Sequence, residues 1–161
     1  MADAYSNLPY RPNVGITLFN RQGLVWVGER HSLPGAWQMP QGGIDEDEDP
    51  WDAAQRELAE ETGATAIERL GEVEDWLTYD LPAHLLGVAL GGKYRGQRQK
   101  WFACRYLGRD SEFRIDGPEP EFSRWRWMEI EDLPKHGASF KRAVYETLVA
   151  EFSVFARPVD E

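Results

Sequence analysis

The sequence predicts an α/β fold, and three stretches carry the prediction. Val14-Gly15-Ile16-Thr17-Leu18-Phe19 is β-branched and aromatic, and Leu24-Val25-Trp26-Val27-Gly28 returns after the turn Asn20-Arg21-Gln22-Gly23, the pattern of a strand hairpin. Residues 50 to 62 read as a helix: Asp49 serves as N-cap, Pro50 suits the first position, Asp52 favours the positive end, and Gly63 supplies the left-handed stop. A second helix is expected near the C-terminus, opened by Ser139 as N-cap, with Phe140, Val144, Leu148, Phe152 and Phe155 on one side.

The remaining elements follow in order. Residues 1 to 9 read as a flexible tail, and residues 10 to 157 as a single domain. His31 to Gly35 is a loop, and Trp37 to Gly43 is a short strand running into an acidic loop. Two glycines, Gly42 and Gly43, let backbone approach a phosphate closely. Ile67 to Tyr79 holds one or two strands, broken by Leu81-Pro82. Leu85 to Gly92 is apolar and glycine-rich and gets no assignment. Lys100 to Leu107 is a buried strand, Gly108 to Gly117 a polar connection, and Pro118 to Phe122 a loop. Trp125 to Met128 forms a further strand, and Ile130 to Leu133 a helical turn.

Composition narrows the setting. A chain of 161 residues with 42% hydrophobic content and seven Trp is long enough to bury a core. Its one cysteine, Cys104, excludes an internal disulfide and, set in an apolar run, reads as a core residue. There is no secretory apolar region and no run long enough to span a membrane, so a cytoplasmic protein without membrane contact is expected. The net charge of −10 argues against nonspecific nucleic-acid binding, DNA included. The charge is uneven: residues 45 to 61 carry nine carboxylates against one arginine, while Lys93, Arg95, Arg98, Lys100 and Arg105 stand in a stretch without an acid. A polyanion reaches such an acidic patch only if metal neutralises it while basic residues hold its other end.

Within the helix, Glu57, Glu60 and Glu61 fall in an arc of about 100°. Like charges at this spacing cost a few tenths of a kcal/mol per pair, and carboxylates near a helix C-terminus oppose its dipole. A solvated acidic face is the bland explanation. A divalent cation reverses the penalty, since Mg²⁺ takes hard oxygen ligands.

The wider spacing favours the cation. Gly42, five residues, Glu48, seven residues, then Arg56-Glu57-Leu58-Ala59-Glu60-Glu61-Thr62-Gly63-Ala64 resembles the Nudix box with every fixed position filled. That resemblance implies an α/β/α sandwich with a mixed β-sheet, and hydrolysis of a nucleoside diphosphate linked to another group with Mg²⁺ or Mn²⁺. More than one ion is expected. Tyr10 to Ile16, Trp37 to Ile44, Asp75 to Tyr79, Gly96 to Phe102, Glu121-Phe122 with Trp125-Arg126-Trp127, and Ser139 to Arg142 extend the likeness. They resemble the bacterial RNA 5′-pyrophosphohydrolases and the related plant-type diadenosine tetraphosphate hydrolases of the same family.

The resemblance implies roles. Glu57, Glu60 and Glu61 are expected as metal ligands, Glu57 also as general base, and Glu121 as a further ligand from its loop. Glu48 is expected to orient Arg56, and Arg56 to fix the catalytic helix. Arg11, Arg30, Lys100 and Lys141 are candidates for phosphate or base contacts, and Tyr79 lies fifteen residues past the box, as in this branch. Arg30 and Phe140 match an arginine and an aromatic ring that hold a base between them in the RNA branch. Gly42 and Gly43 complete the substrate-side set. The substrate is then a triphosphorylated RNA 5′-end, a dinucleoside polyphosphate such as diadenosine tetraphosphate, or both. A catalytically silent nucleotide-binding module on the same scaffold is a third reading, and the intact box argues against it. A monomer is expected.

Overall fold

A computed structural model of the chain describes residues 7 to 159. Most of the expected tail, residues 1 to 6, lies outside the described residues; of the rest, Pro9 is tied down, its carbonyl accepting from Arg95 N at 3.0 Å. The strands are β1 (Tyr10–Phe19), β2 (Val25–Arg30), β3 (Trp37–Gln38), β4 (Gln41–Gly43), β5 (Ile67–Glu72), β6 (Leu77–Asp80), β7 (Gly96–Tyr106) and β8 (Phe122–Met128). The helices are α1 (Pro50–Thr62), α2 (Leu133–His136) and α3 (Arg142–Phe152).

The strands join in one mixed sheet. Its spine runs β3-β2-β1-β7-β5, with β4 beside β1, β6 beside β7 and β8 beside β2. β1 and β7 pair in parallel from Tyr10 opposite Gly96 to Phe19 opposite Arg105, and the other pairings are antiparallel.

Side chains alternate across a strand, and here the alternation sorts two cores. Val14, Ile16 and Leu18 of β1, Trp26 of β2, and Phe102 and Cys104 of β7 face α1, which offers Ala53, Ala54 and Leu58. Phe19, Val25, Val27, Trp101 and Ala103 face the other way, onto Leu133 of α2 and Val144, Tyr145, Leu148 and Phe152 of α3. Each large apolar side chain fully buried in this way contributes about 1.5–3 kcal/mol. Cys104 is a core residue, its thiol pushed up to about 12 by burial.

Several boundaries differ from the sequence reading. The single strand expected over 37 to 43 is two, separated at Met39 and Pro40, since proline has no N–H for a ladder. β7 begins at Gly96, four residues before the apolar run, and β8 at Phe122. Leu85 to Gly92, unassigned from the sequence, overlaps two 3₁₀ turns, Ala83–Leu85 and Ala89–Gly92, with left-handed backbone at Leu90 and Gly91. Ser139 is not an N-cap: it opens the 3₁₀ turn Ser139–Lys141 without a capping bond, and α3 starts at Arg142.

Candidate active site

The site is built on α1 and the loop before it. The Asp49 carboxylate accepts from Trp51 N at 3.0 Å and Asp52 N at 3.3 Å, and Gly63 ends the helix at φ 79°. Between these caps Arg56 reaches back to the loop. Its Nε donates to Glu48 Oε2 at 3.0 Å, and its Nη2 donates to Glu48 Oε1 at 2.8 Å and to the Gly43 carbonyl at 3.0 Å. A two-point guanidinium–carboxylate pair of this kind fixes orientation as well as distance. It holds the Glu48 carboxyl down at about 2, while the Asp45 N–H on Glu48 acts in the same direction. Arg56 and Glu48 thus bind the loop to the helix, and neither lines the clefts described next.

Two clefts meet at the acidic end of α1. One, of about 320 Å³, lies against β1, β4, β6 and β7; the other, of about 460 Å³, runs under the segment from Ile115 to Glu121. Glu57, Glu61 and Glu121 line both and form the shared wall. Glu60 lines only the second and is exposed. Gly42 makes the wall possible, because a Cβ there would fall on the Glu57 carboxylate.

The carboxylates are not equivalent. Arg56 Nη1 donates to Glu57 Oε1 at 2.8 Å and to Glu60 Oε2 at 3.4 Å. Burial nonetheless raises the Glu57 carboxyl above its ordinary value, with Arg56 opposing. Burial raises Glu61 much further, and the neighbouring Glu121 and Glu57 charges add to it. Glu61 Oε2 is buried without a hydrogen-bond partner.

Among the described residues, no group of three or more acidic, histidine or cysteine side chains is drawn up closely enough to hold a metal ion. Glu57 and Glu60 instead both pair with Arg56 Nη1. The donor set still fits a hard divalent cation: an orphaned buried oxygen on Glu61 faces two more carboxylates across the shared wall, and oxygen is the ligand such an ion takes.

The first cleft also carries the remaining groups. Arg11, Arg30, Gly43, Tyr79, Phe140 and Lys141 all line the first cleft with Gly42. Arg30 Nε stands 3.8 Å from Glu121 Oε1. Phe140 is half-buried, packs on Tyr79 with ring centroids 5.7 Å apart, and also lines, with Arg30, an adjoining apolar cleft of about 510 Å³. It is both a core neighbour and a cleft surface. Lys141 is 4% exposed and donates to Gln38 Oε1 at 2.5 Å and Gln41 Oε1 at 3.3 Å. Burial, aided by the Arg30 charge, lowers its ammonium to about 7, while Glu121 and Glu61 pull the other way.

Lys100 is a correction. It lies outside the cleft, on the other face of β7, and donates to the carbonyls of Val73 at 2.8 Å and Glu74 at 2.9 Å beside Glu72. The basic stretch around it is dispersed in the same way. Arg105 is buried on the carbonyls of Asn20 and Phe155, Arg95 pairs with Asp80, and Arg98 lies over Trp76. Period-two alternation sends neighbouring residues to opposite faces, so a run of charge along a strand does not make a patch. The residues missed were Asn13, Gln38, Gln41 and Gln97, which line the first cleft. Only Gln97, which alternates with Gln99 on β7, carried a local signal; Asn13, Gln38 and Gln41 are single amides on their strands.

This fold and this wall define a family, and the chain belongs to it: the NUDIX domain model matches residues 9–148. The chain is thus a Nudix hydrolase, and such enzymes generally depend on a divalent metal ion. It is 52% identical over 167 residues to a Gluconacetobacter diazotrophicus protein named RNA pyrophosphohydrolase, covering 98% of this chain and 99% of that one. A Rhizobium meliloti protein of the same name is 52% identical over 163 residues, covering 94% and 98%. Among solved structures, the E. coli dihydroneopterin triphosphate pyrophosphohydrolase aligns with a TM-score of 0.65 at 17% identity, covering 89% of this chain and 99% of that one. The C. elegans Ap4A hydrolase aligns with a TM-score of 0.62 at 22% identity, covering 91% and 98%. These two share the fold. Among the described residues no helix is long and apolar enough to cross a membrane.

Proposed function

We propose that the protein removes pyrophosphate from the 5′-triphosphate end of RNA. The observation that supports this most is likeness over nearly the whole length to proteins named RNA pyrophosphohydrolase. The two clefts meeting at one carboxylate wall suit it: a triphosphate crosses the wall in one cleft while the nucleoside end occupies the other.

In this reading water attacks a phosphorus of the triphosphate, the bridging P–O bond breaks, and the monophosphorylated RNA and pyrophosphate leave. Glu57 takes the water's proton. Its burial makes it a stronger base than an exposed glutamate, which brings it nearer the working pH. Divalent ions, Mg²⁺ or Mn²⁺ and more than one, held by Glu57, Glu60, Glu61 and Glu121, would supply neutralisation of the phosphate charge and activation of water. Arg56 and Glu48 position Glu57 and the Gly42-Gly43 backbone. Arg11 and Lys141 meet phosphate oxygens, and Arg30 with Phe140 takes a base of the RNA end. We read the working unit as a cytoplasmic monomer.

The test compares turnover of triphosphorylated RNA and of diadenosine tetraphosphate at matched concentration with Mg²⁺. Faster release of pyrophosphate from RNA is expected. Turnover of the dinucleotide alone would replace this reading with that of a dinucleoside polyphosphate hydrolase.

A further inference from the structure

Beneath the first cleft runs a chain of buried amides, and its direction is fixed by chemistry. Trp101 Nε1, which only donates, gives its hydrogen to Gln99 Oε1 at 2.9 Å. Gln99 Nε2 must then donate, and it does so to Asn13 Oδ1 at 2.9 Å and Gln41 Oε1 at 3.2 Å. Asn13 Nδ2 donates to Gln97 Oε1 at 2.7 Å, and Gln97 Nε2 to the Tyr79 hydroxyl at 2.5 Å. A further donor-only group enforces the same sense: Arg11 Nη1 donates to Gln97 Oε1 at 3.2 Å. Lys141 Nζ also donates to Gln41 Oε1 at 3.3 Å. Asn13, Gln97 and Gln99 are each at most 3% exposed, so water does not compete for these positions.

The consequence falls on Tyr79. Its oxygen already accepts an N–H, so its one hydrogen is left to donate, and the residue lines the first cleft. Besides burial, side-chain hydrogen bonds from Gln41 and Gln97 and, behind them, the Arg30 and Arg11 charges act on the same hydroxyl. Burial raises the phenol above its ordinary value, which keeps that hydrogen in place.

We propose that Asn13, Gln97 and Gln99 are positioning residues that lock the Tyr79 hydroxyl as a donor toward the cleft, where it selects an unprotonated phosphate oxygen. The idea rests on reading this cleft as a polyphosphate site. It adds residues that touch no substrate and a defined hydrogen-bond polarity. A network that merely satisfied buried amides would have no effect on ligand choice.

Gln97→Glu is nearly isosteric and reverses the last link. One carboxylate oxygen still accepts from Asn13 and Arg11; the other now faces Tyr79 as an acceptor and turns the phenol hydrogen inward. The probe is inorganic tripolyphosphate, with binding followed by calorimetry and folding by melting temperature. Tyr79→Phe and Gln97→Glu should each weaken binding about tenfold, as loss of a hydrogen bond to a charged group does. The double variant should be no worse than the weaker-binding single. A plain repulsion from the new charge would survive in the Tyr79→Phe background and multiply to about a hundredfold, which would overturn the proposal. So would a fall in melting temperature with unchanged affinity in the folded fraction, or the same coupling seen with adenosine and absent with tripolyphosphate. If Gln97→Glu does not fold, Gln97→Met, which deletes the donated N–H without adding charge, takes its place in the cycle and must couple to Tyr79→Phe. The coupling holding while the wild type leaves triphosphorylated RNA intact would sink the proposed reaction and spare the network.

Discussion

Lys141 is an amine held in the interior, and the cost of charging it there has a sign. The ordinary lysine value is 10.5 and the folded one is about 7. Between these values the unfolded chain carries the proton and the folded chain does not, so stability rises with pH across that window. Lys141→Met keeps the length without the charge. It should flatten the rise in melting temperature between pH 7 and 9, and an unchanged slope would show that Lys141 is not the group responsible. Glu61 poses the complementary case. Its orphaned buried oxygen and its Glu57 and Glu121 neighbours are unfavourable to ionisation by themselves. Glu61→Gln should therefore hold or raise the melting temperature without metal, and lower affinity for Mg²⁺ or Mn²⁺ measured by calorimetry. A variant that melts lower and binds metal as before would assign Glu61 to the fold.

At the scale of elements, α1 is a helix pinned at both ends so that its C-terminal half can carry repelling charges. Asp49→Ala should cost about 1 kcal/mol through loss of the cap. Gly63→Ala should cost at least about 1 kcal/mol, because residue 63 sits at φ 79° and a side chain there also crowds Arg114. Chemical denaturation measures both, and no loss in either would mean that tertiary packing alone holds the helix.

This element was legible in the sequence because its signals are local: Asp49, Pro50, Gly63 and the carboxylate spacing all act within a few turns. The start of β7 was not. Gln97 and Gln99 look like loop residues until Asn13, Tyr79 and Trp101, distant in sequence, supply their partners. Lys100 was misplaced for the same reason. A charge on a strand does not say which face it occupies, and here the Val73 and Glu74 carbonyls claim it. Glu57 and Glu61 of the wall were legible through their spacing and Glu121 only through the family resemblance; that the three would divide two clefts was not legible.

Over the whole molecule, neither core depends on the acidic wall. The clusters on the two faces of the sheet are apolar and contain none of Glu57, Glu60, Glu61 or Glu121. Chelation should thus abolish activity while circular dichroism stays unchanged, and simultaneous loss of both would make the metal structural. The far side of the cleft is expected to act as a unit. Arg30→Ala and Phe140→Ala should be non-additive in KM for RNA if one base lies between them, each costing about 1–3 kcal/mol of binding. Phe140 also packs against the core, so its melting temperature must be read alongside. A steep fall with unchanged KM would return it wholly to the core.

In the proposed reaction, burial at the shared wall, against the pull of Arg56, makes Glu57 the base for phosphoryl hydrolysis. Glu57→Gln at saturating Mg²⁺, assayed for pyrophosphate release from triphosphorylated RNA, tests it most directly. Loss of the base should lower kcat by about 10²- to 10⁴-fold with the melting temperature retained. A folded Glu57→Gln protein with near-wild-type turnover would contradict the account.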